Sequence, residues 1–294
     1  MIPSHLLDEA VRQALDEDLA SGDVTTDSVV PPDAAAVGRA IAKSPLVACG
    51  GDVFARAFYA VDPGVRVERL VEEGARVDAG TVLWRVEGNA RSLLLAERTA
   101  LNFVQRLSGV ASLTRRFVDA LPSGARARVT DTRKTTPGLR AFERYAVRMG
   151  GGHNHRDNLG SAVMIKDNHI AAAGGITQAV ERARSRAPHT SRIEVEVSDL
   201  EQLDEALQLG VEIIMLDNFD DARTGAAVQR AAEQRSVGQQ AVGRALLEVS
   251  GNIGLERVTR LAELGVDVIS VGALTHSAPA ADISLALELI GVAR

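Results

Sequence analysis

Arg192–Asp217 reads RIEVEVSDLEQLDEALQLGVEIIMLD, and its order is strand, helix, strand. RIEVEV and VEIIMLD are short, β-branched and nearly continuous in apolar residues, as in parallel strands buried on both faces. Between them Ser198 and Glu201 have the spacing of a capping box. Leu200, Leu203 and Leu207 form a helical stripe, and Gly210 stands where a helix can stop. Two parallel strands need a crossover of this kind.

The same rhythm extends both ways. ARVTDT (Ala127–Thr132) and SAVMIKD (Ser161–Asp167) precede the unit, while ALLEVS (Ala245–Ser250) and VDVISVG (Val266–Gly272) follow it. Leu255, Val258, Leu261 and Ala262 repeat the helical stripe before Gly265. Each run ends in, or is followed by, residues suited to a ligand. In order they are Arg133-Lys134, Lys166, Glu196, Asp217, Ser250-Gly251-Asn252 and Gly272. In a (β/α) barrel all these strand ends meet at one face, where active sites form. A doubly wound sheet is the competing architecture, but it gathers fewer strand ends around one crevice.

Upstream the pattern differs. Residues 4 to 19 carry apolar side chains at helical spacing, and GDVTTDSVVPPD reads as a loop. From Ala36 to Val86 the pieces are short and β-rich. VEEGARVDAGTVLWRVEG (Val71–Gly88) resembles the turn of a lipoyl or biotinyl half-domain, yet no lysine stands at its tip, so a structural hairpin is expected. Residues 92 to 120 predict a long helix interrupted near Ser108-Gly109. A boundary there gives an N-terminal domain over 1–111 and a barrel over 112–277.

Composition limits the function. The chain has 294 residues, a hydrophobic fraction of 46%, a net charge of −6 and only 3% aromatics. That excludes a surface built of basic patches and stacking rings for nucleic acid. Cys49 is the single cysteine, so neither an intrachain disulfide nor a cysteine zinc cluster is available. With no signal-like leader and no run long enough to span a bilayer, a cytoplasmic protein is expected.

Against that acidic background, cations gather between Val129 and Ile170: Arg133, Lys134, His155, Arg156 and Lys166. An isolated Arg-Lys pair is usually a surface turn. Three cation-bearing loops at successive strand ends instead predict a pocket for an anionic small molecule. Arg133 can clasp a carboxylate with its guanidinium fork, and Lys134 adds a point charge. The glycines of GGGHNHR allow close backbone approach. His153 and His155 lack a third ligand at useful spacing, so a tightly bound zinc is disfavoured. Lys166 has three readings: a Schiff base, neutralisation of an anion, or a pair with Asp167. Glu196 and Asp217 need compensation at their apolar strands, from ribose hydroxyls, magnesium, or ion pairs with Lys166 or Arg133. Ser250-Gly251-Asn252 and Gly272-Ala273 have the character of phosphate grips. Neither a Walker A motif nor a dinucleotide fingerprint is present.

Taken in order, TDTRKTTPGLR, GGGHNHRDNLG, MIKDNHI, EVEV, IMLDNF, EVSGNI and DVISVGALTHSAPA resemble the quinolinate phosphoribosyltransferases, as do GDVTT and ERTALNFVQRLSGVAS upstream. The resemblance implies an α/β protein: an N-terminal α/β sandwich, then an incomplete (β/α) barrel of the type II phosphoribosyltransferase kind. A C-terminal helix over 278–294 would return to the first domain. It implies a pentosyltransferase that makes nicotinate mononucleotide, carbon dioxide and pyrophosphate from quinolinate and phosphoribosyl pyrophosphate in NAD synthesis. Thr132, Arg133, His155, Arg156 and Lys166 would surround quinolinate, with Lys134 nearby. Glu196 and Asp217 would face ribose and Mg2+ carried by the pyrophosphate. Ser250, Gly251 and Asn252, with Val271, Gly272 and Ala273, would hold the 5′-phosphate, and Lys134 or Lys166 would reprotonate the ring. A homodimer or a trimer of dimers is implied, in which Arg98 of ERTALN completes a neighbouring site. One departure is Asn252, where the family often has glycine. The rivals are a phosphoribosyltransferase for nicotinate or another ring, including the molybdenum-transport-linked relatives, and a non-catalytic anion-binding barrel.

Overall fold

Between Ala35 and Asn89 the apolar residues come in short alternating runs, and short strands result. They are β1 (Ala35–Ala42), β2 (Leu46–Val47), β3 (Arg66–Arg69), β4 (Arg76–Val77) and β5 (Val82–Asn89). β1, β5 and β3 lie side by side in an antiparallel sheet, and β2 pairs with β4. Trp84 of β5 stacks on Phe54 of the helix Gly51–Val61, with ring centroids 4.9 Å apart. Both rings and neighbouring Phe58 are fully buried. Burying side chains of this size contributes roughly 2–3 kcal/mol each, enough to fix that helix on the sheet. The computed structural model describes residues 1–236 and 245–290.

The strand-helix rhythm downstream yields β6 (Arg128–Thr130), β7 (Val163–Ile165), β8 (Ile193–Val197), β9 (Ile213–Asp217), β10 (Leu246–Ser250) and β11 (Val268–Ser270). All six are parallel, in the order β6-β11-β10-β9-β8-β7. Starting from β7, each neighbour is the next strand in sequence until β11, which returns to β6. That cyclic order is a barrel rather than a doubly wound sheet. On the other edge of β6, the His153 N–H donates to Val129 O and the Asp131 N–H to His153 O. β6 and β7 are not paired with each other, so the barrel is incomplete.

The chain divides into two compact units. One holds Met1–Arg115, Thr135–Gly151 and the chain from Ala273; the other holds Arg116–Lys134 and Gly152–Gly272. The expected linear division at 111/112 is therefore too simple, because the helix Arg140–Met149 belongs with the first unit. Its buried Glu143 accepts from Arg106, and its Phe142 stacks on Phe103, which draws the segment onto the helix Ala90–Asp119.

Four other expectations are corrected. The stretch read as a loop contains the helix Val24–Val29, started by Asp23, which accepts from the Thr26 N–H at 3.0 Å. The long helix runs unbroken over Ala90–Asp119. Gly109 is there for close packing: a Cβ on it would lie 2.0 Å from Pro279 O. The helix Leu200–Gln208 is capped by Asp199, not Ser198; its carboxylate accepts from the N–H groups of Glu201 and Gln202. Finally, a strand, β12 (Ile283–Leu289), stands where a C-terminal helix was expected. Ile283, Leu285, Leu287 and Leu289 alternate with Ser284, Ala286 and Glu288, and that period of two wins over the helix propensity of leucine and alanine. β12 pairs antiparallel with β1 as the edge of the first sheet, and residues 291–294 lie outside the described residues.

Candidate active site at the strand ends

Strand alternation builds the barrel interior. Val195, Val197, Ile214, Leu216, Leu247, Val249 and Ile269 are fully buried on one face of the sheet. The intervening residues share the other face: Glu194 is level with Met164, Ser250 with Asp217 and Ser270, and Ser270 with Thr130. Thr130, Glu194, Glu248 and Ser270 form a buried polar layer. Two residues after Glu194 and Glu248 on the same strands, and so on the same face, come Glu196 and Ser250, while Thr132 follows the end of β6.

A cavity of about 360 Å3 opens at this end. It is lined by Thr132, Arg133, Lys134, His155, Arg156, Lys166, Glu196, Asp217 and Ser250, with Met164 and Met215. Gly251, Asn252, Val271, Gly272 and Ala273 follow β10 and β11 but do not line it. A second cavity, of about 390 Å3, belongs to the first unit and is lined by Arg98, Asn102, Phe103 and Arg106 among others. Arg106 there is already paired with Glu143. The strand-end cavity gathers five cationic or titratable basic side chains, Arg133, Lys134, His155, Arg156 and Lys166, opposite Glu196 and Asp217.

Arg133 and Arg156 give this cavity a concentrated positive charge. Arg133 Nε is buried and has no hydrogen-bond partner. Arg156 donates to Ala162 O at 3.1 Å. Its pKa is lowered by burial and then by the charge of Arg133, with Glu194 opposing. Two guanidinium groups that repel each other, one with an unsatisfied donor, are stabilised when an anion enters.

His155 is held from several sides. Asp131, fully buried, accepts from the His155 backbone N–H at 2.7 Å and from Asn154 Nδ2 at 2.6 Å. The ring's Nε2 lies 3.4 Å from Glu194 and 3.3 Å from Glu248. Glu248 also accepts from Ser270 Oγ at 2.5 Å, and Ser270 Oγ meets Thr130 Oγ1 at 2.7 Å. Burial lowers the His155 pKa, but hydrogen bonds to Glu194 and Glu248 outweigh it and raise it to about 10. One contact opposes that charge: the Arg156 N–H donates to Nδ1 at 2.7 Å, which a second ring proton would displace. A neutral hydrogen bond is worth about 1 kcal/mol net against about 1.5–3 for each charged one, so the glutamates prevail. Burial raises the Glu194 pKa first, against the His155 hydrogen bond. His155, Glu194 and Glu248 could also serve as metal ligands. A ring proton and the neighbouring Arg156 disfavour a further cation there.

Lys166 Nζ meets Glu196 Oε2 at 2.5 Å, an ion pair between two side chains that line the cavity. Lys166 also begins the helix Asp167–Ala173, where its N–H donates to His169 Nδ1 at 3.0 Å. Asp217 accepts from Asn218 Nδ2 at 2.9 Å. Asn218 and Asn252 are the non-glycine residues with positive φ among those described, at 54° and 47°. Asparagine is among the side chains that tolerate this conformation best, so Asn252 takes a backbone shape glycine would otherwise supply. Magnesium prefers hard oxygen ligands, and the carboxylates of Asp217 and Glu196 fit an ion held mainly by a substrate's phosphate oxygens.

Asp131, Glu194 and Glu248 are site residues that the sequence reading missed. A signal existed for Glu194: in IEVEV it stands two residues before Glu196, so both point the same way. Asp131 just after β6 and Glu248 in the middle of β10 stand in runs that read as ordinary.

Known proteins resemble this chain over nearly its whole length. Residues 23–108 match the family description "Quinolinate phosphoribosyl transferase, N-terminal domain", and residues 110–286 match that of the C-terminal domain. The nicotinate-nucleotide pyrophosphorylase [carboxylating] of Mycobacterium leprae is 46% identical over 283 residues, covering 95% of this chain and 96% of that protein. The crystal structure of NadC from Streptococcus pyogenes superposes with a TM-score of 0.91 at 41% identity, covering 99% of both chains. Human nicotinic acid phosphoribosyltransferase shares the fold alone, with a TM-score of 0.61 at 18% identity over 97% of this chain and 74% of that one. The chain belongs to the quinolinate phosphoribosyltransferase family.

Proposed function

We propose that this chain transfers the phosphoribosyl group of phosphoribosyl pyrophosphate to quinolinate with decarboxylation, yielding nicotinate mononucleotide, carbon dioxide and pyrophosphate for NAD synthesis. The observation that carries this reading is the opposed pair Arg133 and Arg156, with a buried unsatisfied donor on Arg133. Quinolinate carries two adjacent carboxylates, one negative charge for each guanidinium group, while the cationic His155 already faces Glu194 and Glu248. Nicotinate carries one.

In this mechanism Arg133, Arg156 and His155 hold the dicarboxylate while Thr132 and Lys134 border it. The pyridine nitrogen forms a bond to ribose C1 as the bond from C1 to pyrophosphate oxygen breaks. Glu196 and Asp217 orient the ribose hydroxyls and stabilise positive charge on the ring. Mg2+ bound with the pyrophosphate would neutralise its charge as it leaves. Ser250, Gly251 and Asn252, with Val271, Gly272 and Ala273, hold the 5′-phosphate. The quaternised ring then accepts the electron pair of the breaking C2–carboxylate bond, and carbon dioxide departs. Lys134 or Lys166 returns a proton to C2.

The reading includes a homodimer or a trimer of dimers, and a cytoplasmic location. Arg98 lies exposed on the helix Ala90–Asp119, accessible to a second copy. No described helix is long and apolar enough to cross a membrane. The test incubates protein, Mg2+ and phosphoribosyl pyrophosphate with either quinolinate or nicotinate. Carbon dioxide release with quinolinate is expected. Turnover with nicotinate alone, or binding without pyrophosphate release, would overturn the reading.

A further inference from the structure

Asn218 is the first residue after β9, and it touches both sides of the carboxylate-to-phosphate edge of the cavity. Its side-chain amide donates to Asp217 Oδ2 at 2.9 Å. Its backbone N–H donates to Ser250 O at 3.0 Å, at the end of the neighbouring strand β10. Its backbone oxygen accepts from Arg223 Nη2 at 3.0 Å, and the Arg223 guanidinium lies over the Phe219 ring. Against Gly251 the approach is closer still: a Cβ there would lie 2.1 Å from Asn218 Oδ1. Gly251 has φ of 100° and Asn252 of 47°, so two left-handed turns, at 218 and at 251–252, face each other across adjacent strands.

A non-glycine residue in left-handed conformation persists where its surroundings hold it, and such residues cluster at functional sites. An aliphatic residue at 218 would be strained and would leave Asp217 Oδ2 without this donor. Glycine would accept the backbone shape and lose only the amide. The amide thus has a purpose separate from the turn.

We propose that Asn218 is a positioning residue that ties the Asp217 carboxylate to the Ser250–Gly251–Asn252 turn, so that both ends of bound phosphoribosyl pyrophosphate are set by one rigid edge. The inference rests on the reading of Asp217 as a ribose-facing group and of the turn as a phosphate grip. Asn218 touches no substrate; it acts through Asp217 and through the backbone of the turn.

The test uses the full chain with Asn218→Gly and Asn218→Asp. Asn218→Gly keeps the left-handed backbone and removes the amide. The expected result is a KM for phosphoribosyl pyrophosphate raised about tenfold, a tenfold change being the ordinary effect of one lost hydrogen bond, with the KM for quinolinate within about twofold. Asn218→Asp puts a carboxylate beside Asp217, and a larger increase is expected, easing as Mg2+ concentration rises. A structural role alone would lower thermal stability and move both KM values together. Equal shifts in both, or no shift in Asn218→Gly, would overturn the proposal. Calorimetric titration of Mg2+ with phosphoribosyl pyrophosphate gives the same comparison without turnover. A wild type that binds this substrate without turning over quinolinate contradicts the functional reading only, and the ratio of the two affinities still decides on Asn218. No binding by the wild type overturns both.

Discussion

Glu248 holds His155 from inside the barrel: its Oε1 lies 3.3 Å from Nε2 while also accepting from Ser270. With Glu194 on the other side, the ring pKa stands near 10 against an ordinary 6.5. A raised folded-state pKa favours folding fully below about 6.5, and that contribution is lost as pH rises through about 10. Glu248→Gln is therefore expected to lower stability at pH 7 by about 1.5–3 kcal/mol, the range for a charged hydrogen bond. The gap to wild type should narrow above pH 10. Urea denaturation of both proteins across that range is the measurement, and a gap independent of pH would contradict the ion pair.

Arg133→Ala removes the fork with the buried unsatisfied Nε. Loss of two charge-assisted bonds, at about 1.5–3 kcal/mol each, predicts quinolinate binding weaker by at least roughly a hundredfold. It also relieves the repulsion on Arg156, so folding stability should hold or rise. Calorimetry with quinolinate and a thermal melt read the two effects separately. Near-normal affinity would remove Arg133 from the site.

The barrel was legible because its strands end on residues that apolar runs do not otherwise contain. Arg133, Lys166, Glu196, Asp217 and Ser250 each break such a run, and all five line one cavity. Glu194 and Glu248 were hidden for the opposite reason: flanked by Ile193 and Val195, or by Leu247 and Val249, a buried glutamate looks like noise until its partner is seen. His155 is that partner, and it lies in a loop. Gly109 was misread because a local rule outweighed distant packing: a glycine suggested a helix break, whereas the close approach of Pro279 decides its place. The C-terminal helix came from the resemblance, and pairing with the edge of β1 makes that segment a strand instead.

Lys166 and Glu196 meet at 2.5 Å, yet the lysine side chain is 43% exposed. An ion pair so open to solvent contributes at most about 1 kcal/mol to stability, so removing it tests the proposed substrate role with little effect on the fold. Glu196→Gln should leave the melting temperature nearly unchanged. It should lower kcat/KM for phosphoribosyl pyrophosphate by roughly ten- to a hundredfold, or about 1.4–2.7 kcal/mol of transition-state stabilisation. Quinolinate affinity is expected to hold or increase, because Lys166 is released toward the anion. Steady-state kinetics with each substrate varied in turn checks this, and a loss of quinolinate binding equal to the loss in kcat/KM would contradict it.

Gly109 tests why the helix Ala90–Asp119 continues where the sequence suggests a break. If the glycine were there for flexibility, Gly109→Ala would stabilise the helix by about 1 kcal/mol, the propensity difference between the two residues. The close approach of Pro279 O, 2.0 Å from where the Cβ would sit, predicts the reverse. The backbone of either the helix or the 278–281 segment must shift, at a cost of about 1–3 kcal/mol for overpacking. That segment leads directly into β12, and the Ala281 N–H donates to Gln105 O at 2.8 Å, so the strain should loosen the edge strand as well. Hydrogen exchange of the β12 amides paired with β1 should accelerate in Gly109→Ala, along with a lower melting temperature. A variant more stable than wild type, with β12 exchange unchanged, would show that the glycine was never required for packing.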